Sequence, residues 1–267
     1  MKHIKGVFER WTVKDKGKEK AGIGTRFQNE TKYTPASLSG HMFNLGAIPD
    51  TFKEYPSPIA RVTLPEPKAG GEAGLWRLLL KRRSRREYAA GKPLKLNDLS
   101  ALLWATQGLT AQFGDTFFRT APSAGGLYPV ETYLCVRAVD GLEEGIYHFR
   151  PGDYDLEFLK KGDFSRALTE AALQQTLILA AQVTFIWSAL IARGSWKYGQ
   201  RVYRYIYLDA GHIAQNLYLA GEALGLGVCA VGAFYDNDVN RIIDLDGEEE
   251  TVIYMATVGF RSPQNPV

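Results

Sequence analysis

Cysteine and histidine are scarce in this sequence. The 267 residues include two cysteines, Cys135 and Cys229, which lie far apart, and four scattered histidines. No Cys-x-x-Cys pair occurs. A structural zinc site needs four clustered ligands, and a disulfide framework needs several cysteines in a short chain. The sequence therefore predicts neither a metal site nor a disulfide-stabilised fold.

Net charge is also small, because 32 lysines and arginines face 29 acidic residues and leave a formal charge of +3. A protein that binds nucleic acid usually carries a far larger basic excess, so we expect no nucleic-acid partner. With 45% hydrophobic and 23% charged residues, the composition is that of a globular protein. The chain is long enough to bury a core without disulfide or metal support.

Long apolar runs are missing, with one exception. The first residues carry charge but no apolar segment of the kind found in signal peptides, and we expect a cytoplasmic protein. Residues 171–192 hold no charged side chain over a length that could span a bilayer. However, this segment contains Gln174, Gln175 and Gln182, and it becomes β-branched and aromatic from Val183. The pattern predicts a helix followed by a buried strand, and no membrane span.

The glycine-rich signatures of several common folds are absent. The sequence has no Gly-x-Gly-x-x-Gly, no Gly-x-x-x-x-Gly-Lys and no Gly-x-Ser-x-Gly. These motifs mark the commonest dinucleotide-binding, P-loop and α/β-hydrolase sites. Their absence argues against all three classes.

Proline separates two parts of the chain. Four prolines between Pro56 and Pro67 stand in a stretch where they block both helix and central strand. We interpret residues 1–74 as an N-terminal arm that wraps over a body, with a short helix near its start. Residues 75–267 are then one compact domain.

Helices and strands alternate in that domain, and Pro151-Gly152-Asp153 predicts a β-hairpin turn. Such alternation is typical of an α+β sandwich with a mixed sheet. We expect Asn97 to cap the first long helix. The helix over 202–224 is apolar on more than one face, which predicts burial on more than one side, by its own core or by a second subunit. The predicted helices cover residues 75–80, 96–107, 164–181, 202–224 and 238–243, and the predicted strands cover 131–138, 145–150, 154–159, 183–190, 228–232 and 251–258.

Four arginines and a serine stand together at Arg82-Arg83-Ser84-Arg85-Arg86. Guanidinium groups match phosphate oxygens in pairs and keep their charge. A solvated basic face and a nuclear-localisation or nucleic-acid patch are the alternatives. The balanced charge elsewhere weighs against the patch. The run best fits a small ligand that carries phosphate.

Two segments of small residues offer backbone groups to a ligand. They are Arg119–Pro129, which contains Ser123-Ala124-Gly125-Gly126, and Gly225–Phe234. Small residues let backbone N–H groups approach a flat or phosphorylated ligand. A plain turn before a strand is the alternative interpretation of the first segment.

Taken in this order and spacing, these segments resemble the FMN-dependent nitroreductase superfamily. The resemblance rests on Arg82–Tyr88, Pro122–Pro129, Ala223–Phe234 and Val258–Arg261, and it covers residues 75 to 261. It is closest to the branch of the SagB-type dehydrogenases, which oxidise azolines to thiazoles and oxazoles in modified peptides. It implies an α/β/α sandwich with a central mixed, mainly antiparallel sheet, in a domain-sharing homodimer.

The resemblance also implies FMN as the cofactor. Arg82 and Ser84 would hold its phosphate or ribityl chain, and Arg86 would lie near the flavin N1/O2 edge, where positive charge stabilises the reduced ring. Gly232 or Ala233 would present a backbone N–H to flavin N5. Arg83 and Val231 are also expected to bind the cofactor, and Arg261 would give a further phosphate contact. The residues expected to line the flavin from the partner subunit are Ser123, Ala124, Gly125 and Gly126.

In that branch a Lys-Tyr pair precedes the long helix, and Lys197 and Tyr198 stand at that place. The resemblance implies ping-pong hydride transfer through flavin N5, with Lys197 as the base and Tyr198 orienting or relaying the proton. Burial lowers the pKa of a lysine and so suits it to such a role. An exposed lysine beside a packed tyrosine is the alternative.

Three functions stay open on the sequence alone. Azoline dehydrogenation would require a peptide substrate and would be accompanied by a cyclodehydratase partner. Reduction of a small nitro or quinone compound would use NAD(P)H as electron donor and would make Lys197 dispensable. A catalytically idle protein that holds flavin or binds a partner could have the same fold.

Overall fold

The computed structural model of the chain describes residues 23–31, 49–67, 74–89, 91–114 and 116–262. The chain divides into two compact units, residues 1–41 and 42–267. The first contains helix α1 (Ile23–Glu30). The second contains, in chain order, β1 (Ala60–Thr63), α2 (Leu75–Lys81), α3 (Leu96–Gln107), β2 (Leu109–Phe113), β3 (Thr116–Arg119), β4 (Val130–Val136), β5 (Gly145–Arg150), β6 (Asp155–Lys161), α4 (Ser165–Ala171), α5 (Leu177–Ala180), β7 (Val183–Leu190), α6 (Ala192–Tyr198), α7 (Val202–Ala223), β8 (Leu226–Val231), α8 (Asp236–Ile242) and β9 (Glu250–Phe260).

Seven of these strands form one sheet in the order β1-β6-β5-β4-β7-β9-β8, while β2 and β3 form a separate hairpin. Each ladder between the named strands is antiparallel. Among the described residues, parallel pairing is confined to the isolated bridges Ser84–Val228 and Leu94–Val139. The predicted α+β class with a mainly antiparallel sheet is confirmed.

Helices cover both faces of this sheet. Successive side chains of a strand point to opposite faces, so β4 contributes to two cores. Leu134 packs in one apolar cluster with Leu217 of α7, and Cys135 packs in another with Leu168 of α4. The result is the expected α/β/α sandwich.

Two local predictions are wrong. Asn97 does not cap α3, because the helix already begins at Leu96 and its N-cap is Lys95, whose side chain makes no capping hydrogen bond. The helix predicted over 164–181 is broken into α4 and α5. The break follows from Leu173 and Gln174, whose φ angles of +56° and +62° lie outside the helical region.

The uncharged stretch 171–192 contains α5 and the buried strand β7, as its composition predicts. None of the described helices is long and apolar enough to cross a membrane. The boundary expected at residue 75 stays a prediction. Residues 49–67, here called the strap, run along the body and add β1 to the sheet edge beside β6.

Candidate functional site

Helix α6 places Lys197 and Tyr198 against a glycine turn. The turn is a single 3₁₀ turn, Ala124–Gly126, in which Gly125 and Gly126 have φ angles of +66° and +67°. A Cβ atom at Gly125 would lie 2.5 Å from Tyr198 Oη and 2.9 Å from Lys197 Nζ. Both the positive φ and the close approach therefore require glycine here. The structure brings three of the predicted site residues together at this point.

Ser123, at the start of the turn, is held by the protein itself. Its hydroxyl donates a hydrogen bond of 2.6 Å to Asp209 Oδ2 on α7 and accepts one of 2.9 Å from Tyr128 N. The Ala124 N–H donates to Asp209 Oδ1 over 3.3 Å. Burial raises the pKa of Asp209, and these hydrogen bonds oppose the rise. We call this set the lysine group: Ser123, Ala124, Gly125, Gly126, Lys197, Tyr198 and Asp209.

The arginine run packs against Tyr218 of α7. The Arg82 guanidinium carbon lies 5.3 Å from the centre of the Tyr218 ring. Ser84 Oγ lies 3.0 Å from Tyr218 Oη, which accepts a hydrogen bond of 2.8 Å from Ala230 N. Tyr218 therefore ties the run to β8.

Arg86 and the end of β8 complete this second set. Burial raises the pKa of Cys229 on β8, and the nearby positive charge of Arg86 opposes the rise. The strand ends at Val231, and Gly232 and Ala233 follow as exposed residues. We call this set the arginine group: Arg82, Ser84, Arg86, Tyr218, Val231, Gly232 and Ala233.

Two of the predicted arginines are engaged with protein acceptors. Arg83 Nη1 donates to the carbonyl oxygen of Leu80 over 3.0 Å at the end of α2. Arg261 Nε donates to Leu226 O over 3.0 Å, and its Nη2 lies 2.9 Å from the Glu222 carboxylate. These contacts use some of the five N–H groups that each guanidinium could offer to a phosphate. A cofactor role for Arg83 and Arg261 stays a prediction.

The two groups lie at different places on α7. Asp209 holds the lysine group and Tyr218 belongs to the arginine group, nine residues further along the same helix. Nine residues correspond to about 13 Å along a helix axis and to a rotation of about 180° around it. Asp209 and Tyr218 therefore point to opposite sides of α7, and the two groups are separate in one chain.

A network of buried charged residues lies beside α6. His148 of β5 has no exposed surface, and its ring nitrogens lie 2.9 Å from Glu131 and 3.0 Å from Glu157. Burial alone would lower the pKa of His148, but hydrogen bonds to the two carboxylates raise it above 6.5. Burial would likewise raise the pKa of Glu131, but the charge of Arg193 on α6 and the bond to His148 lower it to about 2.

The strap covers this network with charges of its own. Lys53 Nζ donates to Tyr133 Oη over 2.6 Å and pairs with Glu250. The Tyr55 N–H lies 3.1 Å from each carboxylate oxygen of Glu157. Ionic and hydrogen-bonding contacts therefore fix the strap to the sheet.

Three residues of this arrangement escape sequence analysis. Asp209 is an acid among the apolar positions of α7. An acid at a position predicted to be buried indicates polar partners nearby, because a buried carboxylate needs them. Tyr218 fits the apolar pattern of the same helix, so its hydroxyl gives no signal. Arg193 lies in the short helix α6, which the pattern does not predict.

The two groups suit a flat ligand that carries phosphate. Gly125 and Gly126 offer backbone without a Cβ atom, and Arg82 and Arg86 offer positive charge. The buried Nε of Arg85 has no hydrogen-bond partner among the described residues, which leaves a donor open. Across all the residues that the structure describes, no three histidine, cysteine or acidic side chains are placed to hold a metal ion.

Comparison with known protein families bears on these residues directly. The model of the nitroreductase family matches residues 79–260, about two thirds of the chain. The chain belongs to the nitroreductase family. The matched residues include both the lysine group and the arginine group, and they end one residue before Arg261.

Three relatives refine this membership. A Methanocaldococcus jannaschii protein named as a nitroreductase is 42% identical over 168 residues, which are 63% of this chain and 83% of that protein. The trifolitoxin-processing protein TfxB of Rhizobium leguminosarum bv. trifolii is 29% identical over 164 residues, 60% of this chain and 41% of that protein. The microcin B17-processing protein McbC of Escherichia coli is 25% identical over 136 residues, 48% of this chain and 49% of that protein. The two peptide-processing proteins support the predicted SagB-type branch of the family.

A solved structure agrees with this membership. The crystal structure of an Anabaena variabilis protein described as a nitroreductase has a TM-score of 0.74 at 28% identity, over 88% of this chain and 46% of that one. This chain therefore spans about half or less of the Anabaena protein and of the two peptide-processing relatives.

Proposed function

We propose that this member of the nitroreductase family is an FMN-dependent oxidoreductase that dehydrogenates azoline rings in modified peptides. One observation carries the proposal: Lys197 Nζ and Tyr198 Oη meet at Gly125, which puts an amine and a phenol beside a backbone turn without a Cβ atom. FMN, when bound, supplies an acceptor for two electrons. The relatives that process trifolitoxin and microcin B17 support a peptide substrate.

The arginine group would hold the cofactor. Arg82 and Ser84 would bind the phosphate or the ribityl chain, because a guanidinium and a hydroxyl both donate to phosphate oxygens. Arg86 would place positive charge at the N1/O2 edge. The backbone N–H of Gly232 or Ala233 would donate to N5.

The lysine group would line the flavin through its backbone. The Ser123 hydroxyl already donates to Asp209, so its own proton is not available to a ligand. Contacts to the ring would therefore come from Ala124, Gly125 and Gly126. Ser123 would serve by fixing the shape of their turn.

Lys197 would remove the proton from the ring carbon that is oxidised. Tyr198 would orient the substrate or relay the proton. Burial raises the pKa of Tyr198, so the phenol keeps its proton near neutral pH and can act as a donor. A cyclodehydratase that forms azolines from peptide side chains would be the partner that supplies this substrate.

We further propose that the complete site forms in a homodimer, which has one lysine group and one arginine group from different chains at each site. The two groups point to opposite sides of α7, and the elements around them expose apolar side chains. Trp76 and Leu80 of α2 are 82% and 75% exposed, and Tyr207 and Leu208 of α7 are 58% and 60% exposed. Apolar exposure of this kind is typical of a surface that another chain covers. Sedimentation of the purified protein should give the mass of a dimer, and an FMN-binding monomer would contradict this.

A second function is supported by the relative that is 42% identical and is named as a nitroreductase. NAD(P)H would then reduce a small nitro or quinone compound at the same cofactor. This chemistry delivers electrons to the substrate and needs no base to remove a carbon-bound proton. Lys197 would be dispensable for it.

One experiment separates the two functions. The full chain is titrated with FMN, and binding is followed by quenching of flavin fluorescence. The loaded protein is then given either a thiazoline-containing peptide, whose loss of two hydrogens is measured by mass spectrometry, or NADPH with a nitroarene. Wild type, Lys197→Ala and Lys95→Ala are compared, Lys95 being an exposed lysine outside both groups.

The proposal expects peptide oxidation by wild type and Lys95→Ala, and its loss in Lys197→Ala. Nitroarene reduction that survives in Lys197→Ala, without any peptide oxidation, would favour the second function. FMN binding without either turnover would favour an idle scaffold. A protein that takes up no FMN would overturn both enzymatic functions and leave only an idle protein that binds a partner.

A further inference from the structure

Arg193 connects three parts of the chain around the lysine group. It lies on α6, one helical turn before Lys197, and only 4% of its surface is exposed. Its Nε donates to Asp50 O of the strap over 3.1 Å, and its Nη1 donates to Tyr128 O over 3.1 Å and pairs with Glu131 of β4. Because a guanidinium is planar and rigid, acceptors in three directions fix both its position and its orientation.

The contact with Tyr128 reaches the far end of the glycine turn. Tyr128 has a φ of +47°, a conformation that a tyrosine rarely adopts without support. Its N–H donates to Ser123, which starts the turn. The turn is therefore held at its start by Asp209 and at its end by Arg193.

Glu131 holds Arg193 from the side of the sheet. One of its carboxylate oxygens pairs with Arg193, and the other lies 2.9 Å from His148 Nε2. Only 2% of Glu131 is exposed. A buried carboxylate with a hydrogen-bonding partner on each oxygen has little freedom to rotate, so the anchor point of Arg193 is itself fixed.

We propose that Arg193 is a positioning residue that holds Lys197 and Tyr198 at a fixed position relative to the glycine turn. The turn and α6 are far apart in sequence, since Tyr128 and Arg193 are separated by 65 residues. The β4–β7 ladder, which pairs Val130 with Ala189, brings the two segments together, and the guanidinium bridge then fixes the turn against α6 beyond the end of that ladder. The importance of this position for catalysis rests on the proposed function, whereas the contacts of Arg193 do not.

Arg150 provides a matched control. It is also nearly buried, with 7% of its surface exposed, and it makes a bidentate contact with Asp155 at 2.8 and 2.7 Å. Its other charged neighbours are Glu54, Asp153 and Glu157, none of which belongs to the turn or to α6. Arg150→Lys therefore disturbs a buried ion pair without touching the bridge.

The experiment compares wild type, Arg193→Lys and Arg150→Lys as full-length proteins, after their unfolding midpoints show that each is folded. Lysine keeps the charge but has one terminal nitrogen, so it cannot reach Asp50, Tyr128 and Glu131 together. Hydrogen exchange is followed by mass spectrometry in peptides covering 121–129, 192–198 and, as a reference, strand β8 at 226–231. The rate of acetylation of Lys197 is measured against that of Lys95 at one fixed pH.

In Arg193→Lys we expect exchange in 121–129 and in 192–198 to accelerate together, by about tenfold, with strand 226–231 unchanged. Acetylation of Lys197 relative to that of Lys95 should also become faster, because α6 opens more often. Arg150→Lys should show neither effect. Unchanged exchange in the two segments, or the same acceleration in Arg150→Lys, would overturn the inference.

A second variant covers the case in which Arg193→Lys does not fold. Glu131→Gln keeps the shape of the side chain and removes the charge that anchors the guanidinium, and it should accelerate the same two segments by about threefold. If it leaves them unchanged, the inference fails. None of these measurements needs flavin or substrate, so a protein that binds no FMN would refute the proposed function and leave this result standing.

Discussion

The hydroxyl of Ser123 donates a hydrogen bond of 2.6 Å to the carboxylate of Asp209, which lies 86 residues further along the chain. The same carboxylate accepts the N–H of Ala124. One acid on α7 therefore shapes the turn that carries Gly125. The serine in a segment expected to line a ligand acts here as a structural support for its neighbours.

The effects of Ser123 and Asp209 on the free energy of unfolding should be coupled. We expect Ser123→Ala and Asp209→Asn to destabilise the protein less in combination than the sum of their separate effects, by about 1.5–3 kcal/mol, as is usual for a hydrogen bond to a charged group. Urea denaturation at neutral pH of wild type, both single variants and the double variant measures this coupling. Strictly additive free energies would show that the two side chains act independently.

Gly125 should tolerate alanine worse than a glycine of similar backbone angle. Gly114 has a φ of +58°, and a Cβ there meets no atom within 4 Å of the described structure, whereas a Cβ at Gly125 meets Tyr198 and Lys197. We expect Gly125→Ala to lose about 1–3 kcal/mol more than Gly114→Ala, because overpacking adds to the backbone cost. Urea denaturation of both variants measures the difference. Equal losses would mean that Tyr198 and Lys197 move aside freely.

The hydroxyl of Tyr218 should contribute to cofactor binding. Tyr218→Phe removes the partner of Ser84 and the acceptor of the Ala230 N–H. We expect FMN to bind about tenfold more weakly, because both contacts shape the arginine group. Flavin fluorescence titration measures the affinity. Tyr203→Phe, near the start of the same helix, serves as the control and should bind FMN as wild type does. Equal affinity in both variants would show that the Tyr218 hydroxyl does not contribute to the site.

The sequence predicts those features that arise from neighbouring residues. Strand β7 is predicted to the residue at Val183–Leu190, because a run of β-branched and aromatic side chains is a local signal. The arginine run and the Gly125-Gly126 turn are found for the same reason. Their chemistry depends on residue types that stand side by side.

Features that depend on distant partners are not predicted. Asp209 and Arg193 gain their roles from contacts with residues 86 and 65 positions away. The hairpin of β2 and β3 has strands of five and four residues, too short to show a clear alternation. The break between α4 and α5 at Leu173 is a tertiary effect, because an alanine- and leucine-rich sequence favours an unbroken helix.

His148 should make the stability of the protein depend on pH near neutrality. Its folded pKa lies above 6.5, because hydrogen bonds to Glu131 and Glu157 outweigh its burial. A histidine of this kind stabilises the fold fully below its unfolded pKa, and the contribution is lost as the pH rises through its folded pKa. Each unit of difference between the two values corresponds to about 1.4 kcal/mol. We therefore expect the free energy of unfolding to fall as the pH rises from 6.5.

Urea denaturation between pH 6 and about pH 9 measures this slope in wild type, His148→Gln and His212→Gln. His212 is exposed on α7 and lies outside the buried network, so its replacement is the control for removing a histidine elsewhere. His148→Gln should flatten it, although the variant is less stable throughout, because two buried carboxylates lose a hydrogen-bonding partner. The slope of the free energy of unfolding against pH, and not the overall stability, tests the role of His148. If His148→Gln keeps the wild-type slope, the imidazole between Glu131 and Glu157 is not the group that releases a proton, and the charge balance of the buried network must be assigned differently.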